Sequence, residues 1–167
     1  YRSDGSYRYG LELSDADRLG TLHALIEKQH AALRNDRNTL EEYGVGISAD
    51  ALASLERTLV RAKEKGITVI GYMPPLHPII YDEYISVRDE YRESVFALPK
   101  ALQSVFSKHG FQMFDFTNAR PLGGTEGEYI SENHSTDKLD LRMLLSMARR
   151  NSILRSYIEM GTAERLL

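Results

Sequence analysis

Two short apolar runs, each placed directly after a glycine that ends a helical stretch, constrain the fold of this chain most strongly. The first run covers residues 67–73 (ITVIGYM) and stops at Pro74 and Pro75, and the second covers residues 111–116 (FQMFDF). Short runs with little polar alternation are typical of strands covered on both faces, as in a parallel sheet. We therefore predict two neighbouring parallel strands, joined by a right-handed helical crossover.

Helical periodicity fills the segments around these two runs. The predicted helices cover residues 14–43, 48–65, 82–108, 135–148 and 153–160. Ser14 begins the first with a capping-box-like pattern, and Gly44 and Gly66 end the first and second. We expect Pro99 to break or kink the third helix, because proline lacks the backbone N–H and its ring clashes with the preceding turn.

The order helix, strand, helix, strand, helix is typical of βαβ units and predicts an α/β fold. Residues 1–13 are expected to form a loop or hairpin, residues 14–65 two helices, and residues 66–167 a strand-helix-strand-helix unit. A chain of 167 residues suits one domain. Two strands alone do not make a stable sheet of this kind, and the chain begins with Tyr1 rather than Met. The chain is therefore either a single domain or the C-terminal half of a larger one.

Composition narrows the function classes. A net charge of -3 gives no electrostatic case for nucleic acid or for an anionic membrane as a partner. The apolar runs are too short for membrane insertion, and the absence of cysteine excludes disulfides and thiolate catalysis. No phosphate-binding glycine loop of a standard kind is present, so no cofactor is expected. The cellular compartment stays open.

Two histidines follow the predicted strands directly and are the candidate site residues. His134 lies after a glycine-rich loop and before a helix, where it is either a general base or a surface histidine beside a helix cap. His77, with Pro75, belongs either to a substrate-binding pocket wall or to a plain strand-to-helix connection. His134 and Asp137 are three residues apart, but no further ligands appear at regular spacing, so no metal site is predicted.

Three segments carry a resemblance to a known family. They are residues 65–70 (KGITVI) leading into 74–78 (PPLHP), residues 110–116 (GFQMFDF), and residues 129–134 (YISENH) followed by a helix. Together they resemble the C-terminal half of an SGNH (GDSL-type) hydrolase-like domain, and residues 4–10 look like a segment of some bacterial members. The first looks like the fourth strand, the second like the fifth, and the third like the block with the catalytic acid and histidine. The resemblance implies the helix-rich part of a flavodoxin-like three-layer domain with parallel strands.

Family members are esterases, lipases and carbohydrate O-acetyl hydrolases or transferases, with a serine nucleophile after the first strand. His134 matches the family's histidine, but Ser131 stands where the family usually has aspartate. A neutral hydroxyl does not stabilise an imidazolium as a carboxylate does, and Glu132 is a candidate replacement. The resemblance thus implies His134 as general base, with Ser131 or Glu132 orienting its other ring nitrogen. The serine, glycine and asparagine blocks have no match, so the nucleophile is expected outside this chain.

Three hypotheses about function follow. In the first, the chain is the C-terminal portion of an ester hydrolase or O-acyltransferase that acts on an acylated carbohydrate or similar ester. In the second, it is a catalytically inactive SGNH-like binding or interaction domain, which Ser131 favours. In the third, it is an unrelated α/β interaction domain with a partner surface on residues 15–65. A strand followed by Gly-Asp-Ser encoded upstream of Tyr1 would favour the first.

The two-strand prediction generates a test of assembly. An exposed edge of a parallel sheet pairs readily with another chain. We expect the isolated chain to need a missing N-terminal portion or a second copy of itself to cover its sheet. Analytical ultracentrifugation should then show species larger than 19.0 kDa, and a compact, stable 19.0 kDa monomer would contradict the expectation.

Overall fold

The computed structural model describes residues 15–35, 47–87, 89–131 and 133–167, which form seven α-helices and two β-strands. The helices are α1 (Asp15–Arg34), α2 (Ala49–Glu64), α3 (Pro78–Val87), α4 (Asp89–Lys108), α5 (Asp137–Arg150), α6 (Ser152–Ser156) and α7 (Met160–Arg165). The strands are β1 (Ile70–Met73) and β2 (Gln112–Asp115). Two short 3-10 helices, Arg120–Leu122 and Glu126–Glu128, connect β2 to α5. The architecture is mixed α/β and largely helical.

The two predicted strands are neighbours in one parallel sheet, which confirms the prediction from the apolar runs. Ile70 pairs with Gln112 and Met73 with Asp115, so both strands end at the same edge. The backbone pairing of the two segments continues past the ends of the strands. There the N–H of Phe116 donates a hydrogen bond to the carbonyl of Met73 at 3.2 Å. The loops that leave the two strands therefore begin side by side.

Gly71 allows helix α4 to lie close to the sheet. A Cβ atom at this position would lie 2.6 Å from the Phe106 ring and 2.7 Å from the Met113 sulfur. Phe114, the next residue of β2, faces the opposite side, because successive side chains of a strand alternate. It packs there with Met143 and other residues of α5. The sheet thus has α4 on one face and α5 on the other.

Local signals set several helix ends as expected. The Ser48 hydroxyl accepts a hydrogen bond from the N–H of Ala51 at 3.2 Å and caps the start of α2. Gly66 and Gly110 follow α2 and α4 with φ angles of 67° and 81°. These left-handed conformations carry no Cβ penalty in glycine. The caps therefore place the start of each strand segment.

The helices between and after the strands differ from the prediction in three ways. The helix predicted over residues 82–108 begins earlier, at Pro78, and its described residues form α3 and α4 on either side of Arg88, which lies outside the described residues. Pro99 does not end α4, because one missing backbone donor is tolerated within a 20-residue helix whose other turns pack on β2 and α2. The helix predicted over residues 153–160 is instead α6 and α7, separated at residues 157–159.

Some predictions lie outside the described residues. They are the loop or hairpin at residues 1–13, the capping box at Ser14, and the part of the first helix beyond Asn35. Within the described part, α1 confirms the helical pattern, since Leu22 and Ile26 are buried against α3.

A buried carboxylate ties α1 to α3. Glu83 is only 6% exposed. Its carboxylate accepts a hydrogen bond from Arg34 Nε at 2.6 Å and forms a second hydrogen bond with His30 Nε2, also at 2.6 Å. The hydrogen bond from Arg34 and that from His30 hold the pKa of Glu83 below its ordinary value of 4.5, against an opposing effect of burial. The ionised carboxylate is therefore part of the folded structure.

We predict that Glu83→Ala lowers the free energy of unfolding by about 1–3 kcal/mol at neutral pH, because it removes the buried acceptor of this cluster. The adjacent Asp82→Ala is the control. Asp82 is 57% exposed in its pair with Arg120, so its loss should cost less than about 1 kcal/mol.

The folded-state pKa of Glu83 is depressed, so its contribution is present above pH 4.5 and is lost as the pH falls through the folded-state value. Urea unfolding at several pH values should show the Glu83→Ala deficit shrinking on acidification. An equal effect of the two substitutions at neutral pH would contradict the assignment.

Candidate functional site

A cleft opens at the edge of the sheet where both strands end. Its volume is about 340 Å³, and Tyr72, Pro75 and Met143 form much of its apolar wall. His134 and Asp140 belong to its polar wall. Ligands of parallel α/β sheets bind beyond the carboxyl ends of the strands. The cleft therefore occupies the place where this architecture gathers chemistry.

The loop that carries His134 is closed by backbone hydrogen bonds. Tyr129 and Ser135 form an isolated antiparallel bridge at its two ends. Inside the loop, the carbonyl of His134 accepts from the N–H of Ile130 at 2.7 Å and from that of Ser131 at 3.4 Å. The closed loop holds the side chains of Ser131 and His134 next to each other.

A hydrogen bond joins Ser131 to His134. Ser131 Oγ lies 2.7 Å from Nδ1 of His134 and 3.3 Å from Oδ1 of Asn133. The hydroxyl can accept from a protonated Nδ1 or donate to an unprotonated one, because it carries one proton and two lone pairs. Nε2 has no hydrogen-bond partner among the described residues. In the tautomer with the proton on Nδ1, the lone pair on Nε2 is the one that a general base uses.

A second polar group of the cleft is fixed beside His134. Ser135 Oγ donates a hydrogen bond to Asp140 Oδ1, which lies in the first part of α5. Burial raises the pKa of Asp140, while the Ser135 hydrogen bond opposes this shift. The nearby charge of Asp137 also raises this pKa, and that of His134 lowers it. The pKa of Asp140 is thus raised overall, and a charged His134 is among the groups that oppose the shift.

His77 is buried beneath the surface rather than exposed to the cleft. It is 2% exposed, its Nδ1 accepts a hydrogen bond from the N–H of Ile79 at 3.4 Å, and its ring meets Tyr129 edge-on at 5.1 Å. Burial lowers the pKa of His77, against the opposing charge and backbone hydrogen bond of Glu126. The ring therefore caps the start of α3 in its neutral form.

Tyr129 is equally enclosed. Its side chain is 1% exposed, and burial raises the pKa of its phenol to about 12. The phenol is neutral throughout the physiological range and supports the His134 loop from below through its backbone bridge to Ser135. His77 packs against the Tyr129 ring, and Tyr129 is bridged to Ser135 at the end of the site loop.

The structure brings together only some of the residues predicted for the site. His134 and Ser131 are hydrogen-bonded, and Pro75 borders the cleft although it is almost fully buried. Glu132 lies outside the described residues. His77 is not among the residues lining the cleft, so its predicted contact with substrate would require a change of conformation. Its substrate-binding role stays a prediction.

Tyr72 and Asp140 are among the cleft residues that were not predicted from the sequence. Tyr72 is 52% exposed on β1 and faces the cleft, and Asp140 faces it from α5. An exposed aromatic residue directly before two prolines is a signal that could have indicated Tyr72. The spacing of Ser135 and Asp140 carries no comparable signal, because the rotation of α5 decides which of its side chains face the loop.

Other features of the described residues are less suited to chemistry. A groove of about 500 Å³ is bordered by side chains of α2 alone, and Glu56 there is paired with Lys108 and His109. Within the described ranges, no three histidine or acidic side chains converge in a way that could hold a metal ion. No helix in those ranges is both long and apolar enough to cross a membrane.

Comparison with protein-family models, with curated proteins and with solved structures finds no match to this chain. The class of protein that the fold and site define is therefore a mixed α/β protein with a hydroxyl–imidazole pair in a cleft at the carboxyl edge of a parallel sheet.

We predict that His77 makes folding pH-dependent. Its folded-state pKa is depressed, so the unfolded state binds more protons and stability falls as the pH drops below about 6.5. The slope contributed by one group is at most about 1.4 kcal/mol per pH unit. His77→Asn keeps a capping acceptor but does not titrate, so urea unfolding should show a flatter dependence of stability on pH. An unchanged dependence would contradict the prediction.

Proposed function

We propose that this chain is the C-terminal portion of an SGNH-type ester hydrolase or O-acyltransferase that acts on an acylated carbohydrate or similar ester. The observation that carries the proposal is the hydrogen bond between Ser131 Oγ and His134 Nδ1, 2.7 Å long, in an open cleft. It supports a histidine held in the tautomer with a basic Nε2. The proposal includes the finer fold, in which β1 and β2 belong to a larger flavodoxin-like three-layer sheet.

The proposed reaction proceeds by acyl transfer through a hydroxyl nucleophile outside this chain. Nε2 of His134 takes the hydroxyl proton as the oxygen attacks the ester carbonyl carbon. The imidazolium returns that proton to the departing alcohol oxygen, which leaves the acyl group on the nucleophile. Water or a second alcohol then attacks the acyl group, with His134 again moving the proton. The acceptor decides between hydrolysis and transfer.

The cleft supports an ester with a ring-shaped alcohol portion. Tyr72 presents an exposed aromatic ring, and Met143 and the two prolines extend the apolar wall. A small number of polar groups on the opposite wall can fix the orientation of such a ligand. A carbohydrate combines an apolar ring face with hydroxyl groups and therefore suits both walls.

The second candidate function is a catalytically inactive binding domain with the same cleft. The observation that favours it is the neutral hydroxyl of Ser131, because a carboxylate at Nδ1 would stabilise the imidazolium far better. In this case the parent protein binds its ligand in the cleft and leaves the ester intact.

We predict that the full-length parent protein hydrolyses a small activated ester such as p-nitrophenyl acetate and that His134→Ala lowers kcat by roughly a thousandfold or more. His23→Ala is the matched control, because His23 is exposed on α1 and does not line the cleft. Initial rates at saturating ester measure both.

The same assay includes Ser131→Ala, which should lower kcat less than His134→Ala does, since it removes orientation but keeps the base. Full activity in His134→Ala would overturn the assignment of the base. An inactive wild-type parent would overturn the catalytic proposal and favour the binding domain.

A further inference from the structure

In a Ser-His-Asp triad, one aspartate performs two functions. It holds the histidine in the correct tautomer, and it stabilises the imidazolium that forms when the histidine accepts a proton. Ser131 can meet the first requirement here, since its hydroxyl lies 2.7 Å from Nδ1 of His134 and can accept a hydrogen bond from it. It cannot meet the second, because it has no charge. A negative charge must therefore come from another residue if His134 acts as a base.

Asp137 and Asp140 both line the cleft with His134, and Asp140 is the one that a hydrogen bond fixes to the His134 loop. Its Oδ1 accepts a hydrogen bond from Ser135, the residue that follows His134 in the chain. Both Asp140 and His134 line the same cleft. The Ser135 hydrogen bond thus anchors the carboxylate to the residue that follows His134 in the chain and restricts its rotation.

The surroundings of Asp140 act on its charge in opposite directions. The residue lies in the first part of α5, where the helix dipole favours a negative charge. Burial raises the pKa of Asp140 and so disfavours the charge, although the residue is exposed at the surface of the cleft. The positive charge of a protonated His134 lowers the pKa of Asp140, because the two opposite charges attract each other.

We infer that Ser131 and Asp140 divide between them the two functions of the triad aspartate: Ser131 sets the tautomer of His134, and Asp140 offsets the positive charge of its protonated ring. Asp140 is thus a positioning residue that acts through His134. This inference rests on the proposed function, since it concerns the charged state that the proposed reaction creates.

The experiment uses the full-length parent with p-nitrophenyl acetate and compares Asp140→Asn, Asp140→Glu and wild type. We expect Asp140→Asn to lower kcat roughly 10- to 100-fold with KM unchanged, and Asp140→Glu to restore most of the rate. The expected loss is smaller than the ~10⁴-fold loss from an altered triad aspartate, because Ser131 still sets the tautomer. Asp50→Asn, an exposed acid in the first turn of α2, is the control and should leave kcat unchanged.

A second pair of variants isolates the electrostatic role. Ser131→Asp places a carboxylate at Nδ1 and should raise kcat above wild type. In that background Asp140→Asn should cost far less than it does alone, since the imidazolium already has a charged partner. Equal losses in both backgrounds would overturn the inference, as would a KM effect without a kcat effect.

Other outcomes separate this inference from the function on which it rests. If His134→Ala is inactive while Asp140→Asn retains the wild-type rate, the inference is wrong and the function stands. The same holds if Glu132→Gln causes the loss instead. If His134→Ala is fully active or the wild-type parent is inactive, the proposed function is wrong and this inference falls with it.

Discussion

The parallel pairing of β1 with β2 is the interaction on which the cleft depends. The register aligns Met73 with Asp115, so the loops after both strands leave from one edge of the sheet. Gly71 lets the Phe106 ring of α4 pack directly on β1, and a Cβ atom there would need to displace it. With α4 held on this face and α5 on the other, the cleft forms between the strand ends and the first part of α5.

Buried polar groups give this arrangement a defined geometry. His77 caps α3 and meets Tyr129, whose backbone in turn closes the loop that carries His134. Glu83 holds α1 against α3 through His30 and Arg34. Each of these groups has partners in the described part of the chain, as a low-dielectric interior demands. The loop above them can therefore hold the Ser131–His134 pair in one geometry.

The site combines a neutral partner for the imidazole with a separate carboxylate. A hydroxyl at Nδ1 orients the ring but adds no charge, and Asp140 lies on α5, where Ser135 donates a hydrogen bond to it. This separation means that orientation and charge compensation can be altered independently by substitution. In a conventional triad a single substitution changes both, which makes the two effects difficult to distinguish.

The local features of this chain could be predicted from its sequence. Short apolar runs after Gly66 and Gly110 indicate the two strands, and Ser48 indicates the start of α2, because these preferences act within a few residues. The same local signals did not separate α6 from α7. The position of His134 beyond the strand ends also followed from the order of the elements.

Only the tertiary structure decided which side chains meet. Glu83 bonds with His30 across 53 residues, and His77 is enclosed although its place after a strand equally suits an exposed position. Asp140 faces the cleft because of the rotation at which α5 packs on β2, and Tyr72 because β1 ends there. These side-chain contacts depend on how whole helices and strands pack, which is set by the burial of apolar area over the entire molecule. No single position of the sequence indicates them.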